Sequence, residues 1–170
     1  MLTRLHRLLK HRRVLLLIEI LFFVLLYLGV RAYMQRDLVE GPAPLFTAST
    51  LTGEVIDLAQ PRTRPVLIHF WATWCGICRL EQGSIESIAR EHDVISIAMN
   101  SGDDMEVAQF MQEAGLTFPV VTDPAGELAL RYGVRGVPTS FVLNSAGKIS
   151  AVERGYTTEW GLRLRLWWSR

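Results

Sequence analysis

Two cysteines, Cys75 and Cys78, are all that the 170 residues contain. A bond between positions three apart closes a loop too small to restrain an unfolded chain much, so it is a poor structural staple. The disulfide framework of a small secreted domain is thereby excluded. A tetrahedral zinc site is poorly supplied as well. It would need a second C-x-x-C or a histidine pair at short spacing, and the one such pair, His6 and His11, lies on the other side of a long apolar run. Charge is scarce within that run: from Val14 to Val30 the chain reads VLLLIEILFFVLLYLGV, with Glu19 its only charged residue. Basic clusters are lacking after it. Beyond residue 37 there are 11 Lys and Arg against 15 Asp and Glu, which excludes the basic face that nucleic acid requires. Internal repeats and low-complexity tracts are absent too.

The apolar run is the first positive feature. As a helix it measures roughly 25 Å against a hydrocarbon core of ~30 Å, and flanking residues can make up the difference. Arg4, Arg7, Lys10, Arg12 and Arg13 precede it with no acid among them. The positive-inside rule then places the N-terminus in the cytoplasm and everything after about residue 31 outside. A cleaved signal peptide would have a shorter run and a small-x-small site, and Val30-Arg31-Ala32 is a poor one. Glu19, one turn into the run, is expected to reach back toward the headgroups, with a role facing a partner in the membrane as the alternative. The expected organisation is a basic cytoplasmic tail over 1–13, a transmembrane anchor over 14–30, a linker over 31–44 and a folded domain over 45–170.

Within that domain strand and helix signals alternate. Phe46–Ser49 and Val55–Leu58 flank Leu51-Thr52-Gly53-Glu54, a hairpin turn. Val66–Trp71 is a continuous apolar run of strand length, as for a strand buried on both faces. A helix over about 76–91 follows, with Ile77, Leu80, Ile85, Ile88 and Ala89 on its buried side. Val94–Ala98 is the next strand. Asp103 or Asp104 caps a helix carrying Val107, Phe110, Met111 and Ala114, and Gly115 ends it. Then come a strand over Phe118–Thr122, a short helix from Glu127 to Tyr132, a hairpin of Thr139–Leu143 with Ile149–Arg154, and a closing helix over Trp160–Trp168 capped by Thr157 or Thr158. That order predicts a three-layer α/β fold with a mixed central sheet.

The chemistry concentrates at Trp74-Cys75-Gly76-Ile77-Cys78, where a buried strand gives way to a helix. Unpaired N–H groups and the positive end of the macrodipole stabilise a thiolate at Cys75, lowering its pKa from about 8.5 toward or below about 7. Cys78, one turn on, is placed to resolve a mixed disulfide. A Cu(I) site on the same two thiolates is the alternative. Trp74 and Trp71 are expected to shield the pair from water, and Gly76 and Ile77 to face a partner. The C-terminal stretch Trp160–Trp168 fits a helix docked on the sheet, with a membrane-surface helix as its alternative.

With these motifs and Gly136-Val137-Pro138-Thr139-Ser140-Phe141 in place, the chain resembles the thioredoxin superfamily over about residues 40–170. More narrowly it is similar to membrane-anchored TlpA/ResA-type disulfide oxidoreductases, among them suppressor of copper sensitivity D-like proteins. The resemblance implies a single-pass protein of a bacterial inner membrane with its catalytic domain in the periplasm. It implies exchange with protein thiols and disulfides there; a reductant so placed needs electrons from a membrane-embedded donor, and no cofactor or metal is expected. It makes Pro138 a cis-proline beside the cysteines, with Val137 offering its backbone to a partner. It makes Glu81, three residues after Cys78, a proton exchanger for the thiols, with a solvated helix glutamate as the alternative. His69 stands where thioredoxins have a buried aspartate, and either accepts a proton from Cys78 or is a core histidine with one satisfied nitrogen. Gly83 replaces a helix-kinking proline, so the helix can run straighter. The Gly-Ile pair between the cysteines holds no cation, which favours a reductant or isomerase over a strong oxidant.

Overall fold

The computed structural model describes residues 2–170, without the side chains of 2–11, 13–14, 31 and 34–35. His6, His11 and most of the expected basic tail fall outside the described side chains. The chain divides into two compact units, one running to Arg36 and the other Asp37–Arg170. The first is a single helix, α1 (Leu2–Gln35). Its described side chains from Leu15 to Val30 are exposed. Counted over described residues alone, no helix is long and apolar enough to cross a membrane.

The second unit is built on a five-stranded sheet. Its strands are β3 (Val66–Trp71), β4 (Asp93–Met99), β5 (Val120–Asp123), β6 (Thr139–Leu143) and β7 (Ile149–Arg154), in the order β5-β4-β3-β6-β7. β3, β4 and β5 run parallel, while β6 and β7 pair antiparallel. A separate hairpin pairs β1 (Thr47–Ser49) with β2 (Val55–Asp57). All six residues of β3 are buried, as a central strand covered on both faces must be. The result is a thioredoxin-like α/β fold with a mixed sheet.

Alternation along β3 sends its side chains to two cores. Val66, Ile68 and Phe70 join Tyr132 and Phe141 on one face. Leu67 and Trp71 join both cysteines on the other, with residues of α2 (Gly76–Ala89), α3 (Asp104–Ala114) and α5 (Glu159–Trp168). Asp103 caps α3 in a full capping box with Glu106, and Gly115 closes it at φ 65°, so both sequence signals act as read. Thr158 caps α5 through Gly161 N–H.

One expectation needs correction. The buried stripe of α2 is Cys78, Glu81, Ile85 and Ile88, whereas Ile77 and Leu80 are 51% and 71% exposed. Once Cys78 points inward, a turn of about 100° per residue brings positions 81, 85 and 88 in with it and turns Leu80 out, whereas Ile77 shares the inward phase but lies in the first turn beside the disulfide, where it is left uncovered. Part of the segment expected as a linker over 31–44 packs on the folded unit. Leu38 and Ala43 are buried in the Phe70 core, and Ala43 and Ile149 are hydrogen-bonded to Gly147 and Gly41 respectively. An extended segment holding apolar side chains gains more by packing than by remaining in water.

Candidate active site

Cys75 ends the loop after β3 and is the N-cap of α2, with extended backbone at φ −86° and ψ 106°. Its Sγ accepts the Cys78 N–H at 3.0 Å. A first-turn N–H, without a carbonyl partner in any helix, is here spent on sulfur. The two cysteines are disulfide-bonded with Cα atoms 5.3 Å apart. Cys75 retains 7% exposure and Cys78 none, so an incoming partner meets Cys75 first.

Three loops surround the pair. The Val137–Pro138 peptide bond is cis, and the Val137 carbonyl oxygen lies 3.7 Å from Cys75 Sγ. Trp74 precedes Cys75 in the same loop. It is 63% exposed, with its indole N–H donated to the Asn100 carbonyl at 2.8 Å. Trp71, by contrast, is buried. The Thr73 N–H donates to Ser101 Oγ at 3.0 Å. The loop after β4 therefore holds the approach to Cys75, with Asn100 at φ 48°. Trp74, Gly76 and Ile77 are all exposed around the disulfide.

Glu81 is buried, one turn along α2 from Cys78. Its Oε1 accepts the main-chain N–H of Thr157, and its Oε2 is buried with no hydrogen-bond partner among the described residues. Burial strips water from the carboxylate and pushes its pKa up to about 7, against the opposing pull of the Thr157 N–H.

His69 faces the cysteine side of the sheet, between Leu67 and Trp71 on β3. Its Nδ1 is 2.9 Å from Ser140 Oγ. Register aligns Ser96, His69, Ser140 and Glu153 across four adjacent strands, a polar row under α2 and α5. Ser96 accepts the Trp71 indole N–H at 3.3 Å, and Arg165 of α5 engages Glu153. Burial holds the His69 pKa down to about 4, so the ring is neutral near pH 7. Proton acceptance from Cys78 would create the imidazolium that burial opposes.

Ser140, Asn100, Ser101 and Thr157 were not legible as site residues. Ser140 follows Pro138 closely, but nothing local announces its partner 71 residues earlier. Thr157 acts through its backbone, which carries no sequence signal. Among the described residues, no cluster of three His, Cys, Asp or Glu could hold a metal ion.

Comparison with known proteins sharpens this picture. The redoxin family model matches residues 38–161. A thioredoxin-like protein of Haemophilus influenzae is 35% identical over 139 residues, covering 81% of this chain and 83% of its own. The thiol-disulfide oxidoreductase ResA of Geobacillus thermodenitrificans is 30% identical over 167 residues, covering 92% and 96%. Among solved structures, a secreted Mycobacterium tuberculosis disulfide oxidoreductase is similar with a TM-score of 0.61 at 26% identity, covering 71% and 93%.

Proposed function

The chain belongs to the redoxin family and is a thioredoxin-like thiol–disulfide oxidoreductase, and from that footing we propose that it is a membrane-anchored enzyme reducing or isomerising disulfides of proteins outside the cytoplasm. The observation that carries the mechanism is the asymmetry of the pair. Cys75 is accessible and capped by an N–H, while Cys78 is sealed beside a buried carboxyl.

In the reduced chain, the Cys75 thiolate attacks one sulfur of a partner disulfide. That S–S bond breaks, the other partner sulfur leaves as a thiolate and takes up a proton, and a mixed disulfide forms. Cys78 gives its proton to Glu81 and attacks Cys75 Sγ. The Cys75–Cys78 bond forms and the second partner sulfur leaves, to be protonated in turn. Two electrons thus pass from the cysteine pair to the partner, whose sulfurs take up one proton originating at Cys78 by way of Glu81 and one from solvent, and a thiol donor restores the pair. Val137, Pro138, Trp74, Gly76 and Ile77 frame the docking surface, with the backbone beside Cys75 pairing with an extended segment of the partner.

Support for the anchor comes from α1, unbroken over Leu2–Gln35, and from the 17-residue apolar run behind five basic residues. Similarity to the Geobacillus relative spans 92% of this chain, more than the folded unit alone supplies, and so reaches into α1. The secreted Mycobacterium enzyme supports a site of action outside the cytoplasm. The absence of a cation between the cysteines favours a reductant or isomerase, which outside the cytoplasm needs a membrane-embedded electron donor.

Trapping tests the proposal. Cys78→Ala should accumulate a mixed disulfide through Cys75, and the captured partner reports substrate and direction. Cys75→Ser should abolish insulin-disulfide reduction. Failure to trap any partner under oxidising or reducing poise would refute the enzymatic role outside the cytoplasm.

A further inference from the structure

The loop between β7 and α5 touches both halves of the site. The Gly155 N–H donates to the Pro138 carbonyl at 2.8 Å. Two residues on, the Thr157 N–H donates to Glu81 Oε1. The loop is held firmly at its α5 end. Gly161 N–H donates to Thr158 Oγ1 at 3.2 Å, and a Cβ at Gly161 would stand 3.2 Å from Thr157 Cγ2 and Thr158 Oγ1. Glu159 accepts from Ser87 Oγ and Arg163 Nε, both at 2.8 Å, and Arg163 also bridges to Glu91 at 2.7 Å. These contacts fasten the start of α5 to the region following α2 and to α2 itself, the helix that carries Cys78 and Glu81.

We propose that Gly155–Thr158 is the second wall of the active site, in which the Thr157 main-chain N–H positions the Glu81 carboxyl by engaging Oε1 and leaves Oε2 as the oxygen that exchanges a proton with Cys78. The buried Oε2 without a partner is the observation that points to a proton there, because an unpaired buried oxygen costs more when ionised than when protonated. The charged surroundings do not supply an alternative. On α2 the titratable neighbour one turn back is Cys78. Below lie His69 and Glu153, the latter engaged by Arg165. Glu159 is committed to Arg163, and Asp93 of β4 follows the far end of α2. With the disulfide closed, burial and the Thr157 N–H are the two influences on Glu81, and in the reduced chain a Cys78 thiolate one turn back adds to the upward push. Because one residue, Tyr156, separates Thr157 from Gly155, a partner pressing on Val137-Pro138 acts on the wall that holds the proton carrier.

This inference rests on Glu81 as the proton carrier, and the experiment separates the two. In the reduced full chain in detergent micelles, the Thr157 amide resonance should titrate with a midpoint near 7, and Glu81→Gln should abolish that titration. Thr157→Pro removes the donor. It should move the midpoint of the pH profile of insulin reduction up by about one unit and slow the reaction about fivefold at pH 7. Thr157→Ala keeps the N–H and loses the Oγ1 bond to the Gly155 carbonyl at 3.4 Å, so its rate can change while the midpoint stays where it is. An amide insensitive to pH between 5 and 9 would overturn the inference, as would a folded Thr157→Pro variant with an unmoved midpoint, or an equal shift in Thr157→Ala. If Thr157→Pro does not fold, the amide titration decides. A Glu81→Gln profile identical to the wild type would instead remove Glu81 as proton carrier while leaving the hydrogen bond standing.

Discussion

Two buried titratable side chains oppose one another in this protein. Glu81 has its pKa raised to about 7, and His69 has its pKa lowered to about 4. A raised carboxyl pKa means the folded state holds the proton more tightly than the unfolded one. Glu81 therefore makes stability fall as pH rises from about 4.5 to 7. A depressed histidine pKa means the unfolded state holds the proton more tightly. His69 makes stability fall as pH drops from about 6.5 to 4. In the overlap between roughly pH 4.5 and 6.5 the two slopes cancel. Glu81→Gln should uncover a rise in stability with pH of on the order of 2–3 kcal/mol across that window, and His69→Asn a fall of similar size. Denaturant unfolding of each variant at pH 4.5 and 6.5, compared with the parent, reads both. Parallel behaviour of the two variants would refute the assignment.

At the level of elements, α2 and α3 offer contrasting tests. Gly83 stands on the exposed side of an uninterrupted α2, and a Cβ there meets nothing within 4 Å. Gly83→Ala should stabilise the protein by about 0.5–1 kcal/mol through lower backbone entropy in the unfolded chain, with disulfide exchange unchanged. Thermal melts and insulin reduction check the two halves of that statement. The α3 cap has the opposite sign. Asp103 accepts the Glu106 N–H at 2.9 Å while Glu106 accepts the Asp103 N–H at 3.0 Å. Asp103→Ala should cost about 1 kcal/mol. Since α3 follows the loop that holds Trp74, the same variant should broaden the Trp74 indole N–H resonance.

At the level of the molecule, the proposed anchor predicts that the full chain stays with membranes through alkaline carbonate extraction, and that Glu19→Ala leaves it there. Release by carbonate would remove the anchor from the reading without touching the dithiol chemistry. Long-range folding also explains where local pattern reading succeeded. β3, β6 and β7 carry apolar runs or alternation bounded by turn residues, and their limits coincide with the expected ones. The cap of α3 and the glycine after it are local events, written in adjacent residues. Apolarity alone does not give the burial of α2: the inward cysteine sets a rotation that turns Leu80 out, and Ile77, though in phase, lies at the open end of the helix beside the disulfide.

The nature of the nucleophile, the helix it caps and the proline loop beside it were legible in the order of residues, since each depends on neighbours a few positions away. Folding had to supply the rest: Ser140 against His69, Asn100 under Trp74, and the Thr157 amide on Glu81. Those contacts join residues far apart along the chain, and one partner is a backbone group common to every amino acid but proline. No local pattern encodes a hydrogen bond whose two ends meet only after a sheet and a last helix have packed.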